Sequence, residues 1–217
     1  MCGRYTPLTE DEVIEVRDII QSISLKLAKD ELAGYETTFA EIAPTNRSPV
    51  VISDGRELAF EHAQFGFEKW DGKGVIINVR CETIHEKPMF KEHISTGRCV
   101  VPASGYYEWK RLDAGQKKKH KHLIKDRHGN LLFMAGLWRD GKTGREFVII
   151  TKDPVGEVLD IHDRMPVVLK TDQIESWLSG TMPIDALARL DYDCTGEPCS
   201  KPPPNKKDGG PEQLTLF

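Results

Sequence analysis

Short runs of β-forming residues, separated by turn dipeptides, fill the middle of the chain and constrain its fold more than any other feature. Runs flanking Asp54-Gly55 and Asp140-Gly141 predict two hairpins, the second with a longer loop, between residues 50–52 and 58–60 and between residues 131–138 and 146–151. Further strands are expected at residues 75–77, 99–101 and 165–169. Many non-local strands with few helices predict an α+β single domain, with flanking helices around a curved, mostly antiparallel, barrel-like sheet.

Helical signals lie toward both ends of the chain. Thr9 and Glu12 form a capping-box pattern, and apolar residues then recur at helical spacing over residues 13–27. A first helix is therefore expected to begin after Thr9 and to end within residues 30–34. Two later helices are expected, one with Thr171 as its N-cap and one with Pro183 in its first turn.

Length and charge limit the classes of protein that the chain can belong to. Its 217 residues, 39% of them hydrophobic, suffice for one large domain or two small ones. The net charge of −4 excludes a polycation, so any nucleic-acid site must be a local basic patch. We expect residues 1–199 to form the domain and residues 200–217, which are rich in Pro and Gly, to form an extended tail.

Cysteine usage and hydropathy indicate the cellular setting. The five irregularly spaced cysteines include no Cys-x-x-Cys pair, which favours reduced thiols over a zinc ribbon or a thioredoxin-type site. No metal or other cofactor is expected. The start of the chain lacks a signal-peptide pattern, and no apolar stretch reaches the length of a membrane span. We therefore expect a soluble cytoplasmic protein without a membrane partner.

Cys2 directly follows the initiator methionine. If Met1 is removed, Cys2 carries an α-amine with a pKa of about 8 and a thiol with a pKa of about 8.5 on adjacent carbons. The amine can attack an aldehyde to give a Schiff base, and the thiolate can then close a five-membered thiazolidine. An internal cysteine cannot do this, because its nitrogen is an amide. Taken alone, the position is better explained as an ordinary second residue.

Four further segments have patterns that are unusual for a core, namely residues 43–45, 77–83, 104–110 and 160–166. In the second, period-two alternation puts Asn78, Arg80 and Glu82 on one face of a strand. The third interleaves aromatic residues with a carboxylate, and the fourth groups a histidine with three charged residues. Each segment also has a structural explanation: a plain turn, a salt-bridged strand edge, an aromatic core strand and a satisfied loop histidine.

Together these segments resemble the SOS-response-associated peptidase (SRAP) family, the abasic-site processing proteins. The resemblance rests on Met1-Cys2-Gly3-Arg4-Tyr5, Asn78-x-Arg80-x-Glu82-Thr83, Tyr107-Glu108-Trp109-Lys110 and Ile161-His162-Asp163-Arg164-Met165-Pro166. The order and approximate spacing of these motifs agree with the family from residue 1 to about residue 170, and residues 205–212 resemble its closing segment. The match is therefore specific and covers most of the chain.

The resemblance implies binding to single-stranded DNA that contains an abasic site. Cys2 would capture the aldehyde of the opened sugar as a thiazolidine crosslink, with weak lyase activity. Asn78 would orient the amine or the sugar hydroxyls, and Glu108 would act as general acid and base. His162 would act on the sugar oxygen and assist crosslink reversal or β-elimination. DNA contacts are implied for Gly3, Arg4, Pro44, Trp70, Arg80, Thr151 and Arg164.

This chain departs from the family at the first turn, where Tyr-Asn-x-Ala-Pro is usual and residues 40–44 read Ala-Glu-Ile-Ala-Pro. A carboxylate at Glu41 would repel a nearby DNA phosphate. The basic run at residues 117–122 has two explanations that stay open: an extension of the DNA track or a solvated face.

The last five residues, Gln-Leu-Thr-Leu-Phe, resemble the pentapeptide by which bacterial replication and repair proteins dock on the β sliding clamp. A flexible tether followed by apolar anchors suits a preformed groove. The candidate clamp contacts are Gln213, Leu214, Leu216 and Phe217. The alternative is that Leu214 and Leu216 belong to a final strand.

Three functions are weighed. The first, which the residues and the resemblance favour, is covalent capture of abasic sites. The second is a cysteine peptidase in which Cys2 cleaves peptide bonds, including the one that follows Met1, with His162 or Glu108 as base. The third is a non-catalytic reader of single-stranded or modified DNA, recruited by the clamp. We expect a monomer that is associated with the nucleoid.

Overall fold

The structure is a computed structural model, and it describes residues 2–32, 39–54, 56–110 and 120–199. The strands are β1 Arg4–Tyr5, β2 Lys26–Asp30, β3 Arg47–Ser53, β4 Glu57–Phe65, β5 Phe67–Glu68, β6 Val75–Ile76, β7 Asn78–Arg80, β8 Arg98–Ala103, β9 Tyr106–Lys110, β10 His120–Asp126, β11 Leu132–Gly141, β12 Gly144–Lys152, β13 Met165–Pro166, β14 Val168–Leu169 and β15 Cys194–Pro198. The α-helices are α1 Glu10–Gln21, α2 Pro88–Lys91, α3 His93–Thr96 and α4 Thr171–Leu178. The 3-10 helices are Cys81–Glu86, Gly156–Asp160 and Ile184–Arg189.

Five strands close into a barrel in the circular order β3, β4, β12, β11, β8. All neighbours in this ring are antiparallel except β4 and β12, which are parallel. Short strands extend the barrel, with β7 beside β12 and β14 beside β11. The predicted α+β class with a mostly antiparallel, barrel-like sheet and flanking helices is confirmed.

A separate antiparallel sheet in the order β1, β9, β10, β15 packs against the barrel. Its buried side chains join an apolar cluster with side chains of the barrel strands. Tyr5 of the small sheet meets Phe65 of the barrel edge to face, with ring centroids 5.5 Å apart. This packing buries the side chains of Cys2 and Tyr5 and places β9 against one side of the barrel.

Both predicted hairpins are present, but one turn differs from the prediction. β3 and β4 pair from Arg47 opposite Gln64 to Ser53 opposite Leu58, as the alternation predicts. β11 and β12 pair as far as Gly141 opposite Gly144, so Asp140-Gly141 belongs to a strand. The turn is the two residues that follow it, and the loop is shorter than predicted.

The first helix begins where it was predicted to begin but ends earlier than predicted. Thr9 and Glu12 form the reciprocal capping box. The helix stops at Gln21, and β2 then runs parallel to β4. The prediction failed here because Leu27 continues the helical repeat of Ile20 and Ile23, although Leu25 and Leu27 pack against the core two residues apart, as strand residues do.

The later helical segments also differ in detail from the predictions. Thr171 is the first residue of α4, and Lys170 takes the N-cap position. Pro183 is the N-cap of a segment that forms a 3-10 helix and not an α-helix. Within the described ranges, every helix is too short or too polar to cross a membrane.

Candidate active site

The N-terminal residues are held in the small sheet. β1 pairs with β9 so that Arg4 lies opposite Tyr107, and one further residue along this antiparallel register puts Gly3 opposite Glu108. On its other side, Tyr5 exchanges two backbone hydrogen bonds with Ile42, with N–O distances of 3.2 and 2.8 Å. The pairing therefore brings the start of the chain alongside the strand that carries Glu108.

The Cys2 side chain is completely buried, in the apolar cluster between the small sheet and the barrel. Its Sγ lies 4.0 Å from the carbonyl oxygen of Arg4. Burial raises the pKa of the Cys2 thiol, and the nearby charge of Glu108 raises this pKa further. The thiol is therefore neutral in this arrangement, and its nucleophilicity depends on a change in its surroundings.

Glu108 and His162 form an ionisable pair next to Cys2. Glu108 is 2% exposed, and its Oε2 lies 3.6 Å from Nε2 of His162. Burial raises the pKa of Glu108, and the charge of His162 opposes this rise. A carboxyl group with a raised pKa can donate or accept a proton nearer to neutral pH than an exposed one can.

The chain after the 3-10 helix Gly156–Asp160 positions His162. The backbone N–H of His162 donates to the carbonyl of Val158 at 3.0 Å, and that of Arg164 donates to Nδ1 of His162 at 3.1 Å. The Asp163 carboxylate lies 2.8 Å from the same Nδ1. A small cavity of about 190 Å³ opens beside this segment. The imidazole is thus oriented through Nδ1, and its Nε2 faces Glu108.

Asn78 and Arg80 lie on β7, which runs parallel to the end of β12. Val79 between them is buried, so the predicted alternation is correct for Asn78 and Arg80, but it was wrong for Glu82, which lies beyond the strand in the 3-10 helix Cys81–Glu86. The Asn78 Nδ2 approaches the carbonyl oxygen of Ile149 at 3.5 Å, and its buried Oδ1 has no hydrogen-bond partner in the described ranges. Arg80 is exposed.

Arg164 is buried and already bound to protein groups. It forms a two-pronged salt bridge with Glu82, at 3.0 and 2.8 Å, and also contacts the Asp153 carboxylate and the carbonyl of Thr151. Thr151 is buried too, and its hydroxyl donates to the carbonyl of Val79 at 3.3 Å. These two predicted DNA ligands therefore lie below the surface, whereas Arg4 and Arg80 are exposed.

Pro44 lies in a turn whose geometry is strained. Thr45, the next residue, has a φ of 75°, a region that non-glycine residues seldom occupy and that costs on the order of 1 to 3 kcal/mol. Two hydrogen bonds hold the turn: the backbone N–H of Ala43 donates to Asn46 Oδ1, and that of Thr45 donates to the carbonyl of Phe65. It follows Ile42, so it adjoins the N-terminal strand.

Trp70 lies apart from the groups described so far. It is 93% exposed in the loop between β5 and β6, and it borders an open cavity of about 800 Å³ near the β11–β12 turn. The structure therefore brings together Cys2, Glu108 and His162, and separately joins Arg164, Glu82 and Thr151. The predicted clamp contacts, Gln213, Leu214, Leu216 and Phe217, lie outside the described residues.

Sequence reasoning did not single out the hydroxyl of Tyr106. This side chain is completely buried, and its hydroxyl has no hydrogen-bond partner in the described part of the chain. Burial and the neighbouring Cys194, Cys2 and Glu108 raise its pKa, so the hydroxyl remains a donor. The period-two alternation along β9 was the available signal, because it puts Tyr106 on the same face as Glu108.

Comparisons with known proteins identify the family of the chain. A family model described as SOS response associated peptidase (SRAP) matches residues 1–197. The abasic site processing protein YoaM of Bacillus subtilis (strain 168) is 35% identical over 192 residues, which cover 82% of this chain and 79% of YoaM. The abasic site processing protein YedK of Escherichia coli (strain K12) is 30% identical over 185 residues, which cover 82% and 79%.

Solved structures share the fold. The crystal structure of a phage-related protein from Bordetella bronchiseptica superposes with a TM-score of 0.70 at 27% identity, covering 92% of this chain and 95% of that one. A protein from Bacteroides thetaiotaomicron has a TM-score of 0.72 at 23% identity, covering 92% of both chains, and supports the fold alone. On the family match and these relatives, the chain belongs to the SOS response associated peptidase (SRAP) family.

Proposed function

We propose that this protein binds abasic sites in single-stranded DNA and captures them covalently through Cys2. The observation that carries the proposal is the convergence of Cys2, Glu108 and His162 beside the anchored N-terminal strand. The substrate class is supported by relatives that are named abasic site processing proteins. The reaction requires hydrolytic loss of Met1, because only then does Cys2 carry a free amine.

The proposed reaction has three steps. The amine of Cys2 attacks the aldehyde carbon of the opened sugar, and the resulting carbinolamine loses water to give a Schiff base. The sulfur then adds to the imine carbon while the thiol proton moves to the nitrogen, closing the thiazolidine. Glu108 accepts the ammonium proton before attack and returns a proton to the departing hydroxyl. The net change is the loss of one water.

His162 is proposed to act on the sugar oxygen and, more slowly, on strand scission. Its Nε2 faces Glu108 at 3.6 Å, and closure of this gap to hydrogen-bond distance in the DNA complex would let a proton pass between the two groups. Removal of a proton from the carbon next to the imine would expel the 3′ phosphate by β-elimination, which is the weak lyase activity. Asn78 is proposed to orient the amine or the sugar hydroxyls through its unpartnered Oδ1.

DNA contacts are proposed at the surface around this group. Gly3 leaves room for the sugar, and exposed Arg4 and Arg80 can bind flanking phosphates. Pro44 can lie against a base, and so can Trp70 on the part of the strand that passes beyond this group, since stacking tolerates any sequence. Arg164 can bind a phosphate only if the phosphate replaces one of its carboxylate partners, Glu82 or Asp153. The same rearrangement would bring a phosphate close to Thr151, whose carbonyl contacts Arg164. Single-strand preference follows because a stacked duplex resists the bend that brings a sugar to Cys2.

An abasic oligonucleotide provides the direct test. Cys2→Ala should abolish the heat-stable crosslink, because neither ring closure nor thiol addition is possible. Cys2→Ser keeps the amine, so it should give a Schiff base that only borohydride reduction makes stable. Cys199→Ala, which removes a half-buried thiol elsewhere, is the matched control and should react normally. A heat-stable crosslink with Cys2→Ala would overturn the proposal.

Burial of Cys2 argues against peptide-bond cleavage as the main activity. A neutral thiol with a raised pKa is a poor nucleophile toward an amide. Self-removal of Met1 is nevertheless testable, since protein made with aminopeptidase blocked would lack Met1 only if processing is autocatalytic. Clamp docking by the tail is a separate proposal: a chain ending at Gly210 should lose clamp binding and keep crosslinking.

A further inference from the structure

Arg4, Glu41 and Lys121 form an ion-pair network beside the N-terminal strand. The Oε2 of Glu41 lies 3.4 Å from a guanidinium nitrogen of Arg4, and its Oε1 contacts the ammonium group of Lys121. The three residues come from β1, from the segment before the Pro44 turn, and from β10. Because these segments are held by the Tyr5–Ile42 bridge and the β9–β10 pairing, tertiary structure fixes the network.

The network lies on the opposite face of β9 from Glu108. Lys121 is opposite Trp109 in the β9–β10 register, and its Nζ lies 3.9 Å from the centre of the Tyr107 ring. Tyr107 and Trp109 alternate with buried Glu108 and face the other side of the strand. Arg4 is only two residues from Cys2, so a DNA strand whose sugar reaches Cys2 can place a flanking phosphate beside Arg4, to which Lys121 is joined through Glu41.

Glu41 competes with those phosphates for the same two cations. The Arg4, Glu41 and Lys121 side chains are 47%, 24% and 27% exposed, and ion pairs at such sites contribute about 0 to 1 kcal/mol. A phosphate can therefore displace the carboxylate at small cost. The displaced carboxylate then remains next to the DNA backbone and repels it.

We propose that Glu41 is an electrostatic lock that holds Arg4 and Lys121 in the free protein and lowers affinity for undamaged single-stranded DNA. This inference rests on the proposed function. Intact DNA forms no covalent bond with the protein, so the repulsion from Glu41 increases its dissociation rate. An abasic strand is retained by the thiazolidine whatever the strength of the ionic contacts. Glu41 thus increases the selectivity of the site for strands that can react.

Equilibrium binding to an intact oligothymidylate, measured by fluorescence anisotropy on the full chain, tests the lock. Glu41→Gln should bind about fivefold more tightly, which corresponds to about 1 kcal/mol. A plot of the logarithm of its association constant against the logarithm of the salt concentration should be steeper by about 0.7 for each cation that is released from Glu41 to bind a phosphate. The matched control is Glu57→Gln, an exposed glutamate of β4 paired with Lys26, which should change neither quantity appreciably.

The double variant Glu41→Gln/Lys121→Gln should lose most of the gain, because one of the released cations is gone. Equal binding by Glu41→Gln would overturn the lock, and weaker binding would overturn it and show instead that Glu41 prepares the cations for DNA. A parallel reaction with an abasic oligonucleotide separates the two proposals. Crosslinking by the wild type without a gain in Glu41→Gln overturns the lock alone, whereas the absence of both binding and crosslinking in the wild type overturns both.

Discussion

Two buried carboxylates, Glu61 in the barrel and Glu108 in the small sheet, have opposite surroundings. Glu61 is 5% exposed and bridges Lys29, at 3.1 Å, and Arg145, both of which carry permanent charges. Glu108 is 2% exposed and faces His162, whose charge depends on pH. A buried carboxylate whose partners are permanently charged stabilises the packing of the strands that carry them. A titratable neighbour leaves a buried carboxylate able to exchange protons.

The largest expected effect is on the rate of crosslinking, which should depend on Glu108 and not on Glu61. Glu108→Gln should slow crosslinking to an abasic oligonucleotide by about 10²- to 10⁴-fold, because it removes the general acid and base. Glu61→Gln should leave the rate unchanged, since Glu61 belongs to the barrel. Single-turnover gel assays on both variants measure this difference. Equal rates for Glu108→Gln and the wild type would remove the catalytic role of Glu108.

The second prediction concerns His162 and the later chemistry. His162→Gln should slow strand scission and crosslink reversal by about 10²-fold, because glutamine cannot accept the sugar proton that His162 is proposed to remove. Crosslink formation should fall much less, since Glu108 remains. Time courses that follow cleaved strand and intact crosslink in one reaction distinguish the steps. Equal losses in both steps would show that His162 acts earlier, with Glu108.

The smallest effects concern stability, and they should have opposite signs. Glu61→Gln leaves Lys29 and Arg145 without their shared partner and should cost about 1 to 2 kcal/mol, below the figure for fully buried pairs because both cations are partly exposed. Glu108→Gln should raise the free energy of unfolding near pH 8. Urea unfolding measures both, and destabilisation by Glu108→Gln would contradict the raised pKa of Glu108.

The sign for Glu108 follows from proton linkage. Its pKa is raised in the folded state, so the folded state holds the proton more tightly than the unfolded chain does. That contribution to stability is fully present below the unfolded pKa and is lost as pH rises through the folded pKa. Glutamine cannot ionise, so the variant escapes the loss. The same titration should appear as a rising limb in the crosslinking rate, absent from Glu108→Gln.

Local signals predicted local structure well. The Thr9 capping box gave the start of α1, and alternation gave the β3–β4 hairpin. The end of α1 could not be predicted, because Leu27 suits either a helical or a strand repeat and the choice depends on β2 pairing with β4, far along the chain. Non-local strand pairing has no signature in a single sequence.

The candidate site shows the same limit. Alternation puts Tyr106 and Glu108 on one face of β9, but only the β1–β9 pairing brings the start of the chain, which carries Cys2, alongside that strand. The assignments of Cys2 and His162 came from family resemblance and not from spacing. The salt bridge between Arg164 and Glu82 could not be predicted from the sequence, since the two residues are 82 positions apart.

Mass spectrometry of the peptide released from a purified crosslink tests the central claim most directly. The account predicts an N-terminal peptide without Met1, modified at Cys2, with the mass of peptide plus opened sugar fragment minus one water. Reduction with borohydride should leave this mass unchanged, because a thiazolidine has no imine to reduce. A peptide that retains Met1, an adduct without loss of water, or modification of another residue would contradict capture by the amine and sulfur of Cys2 together.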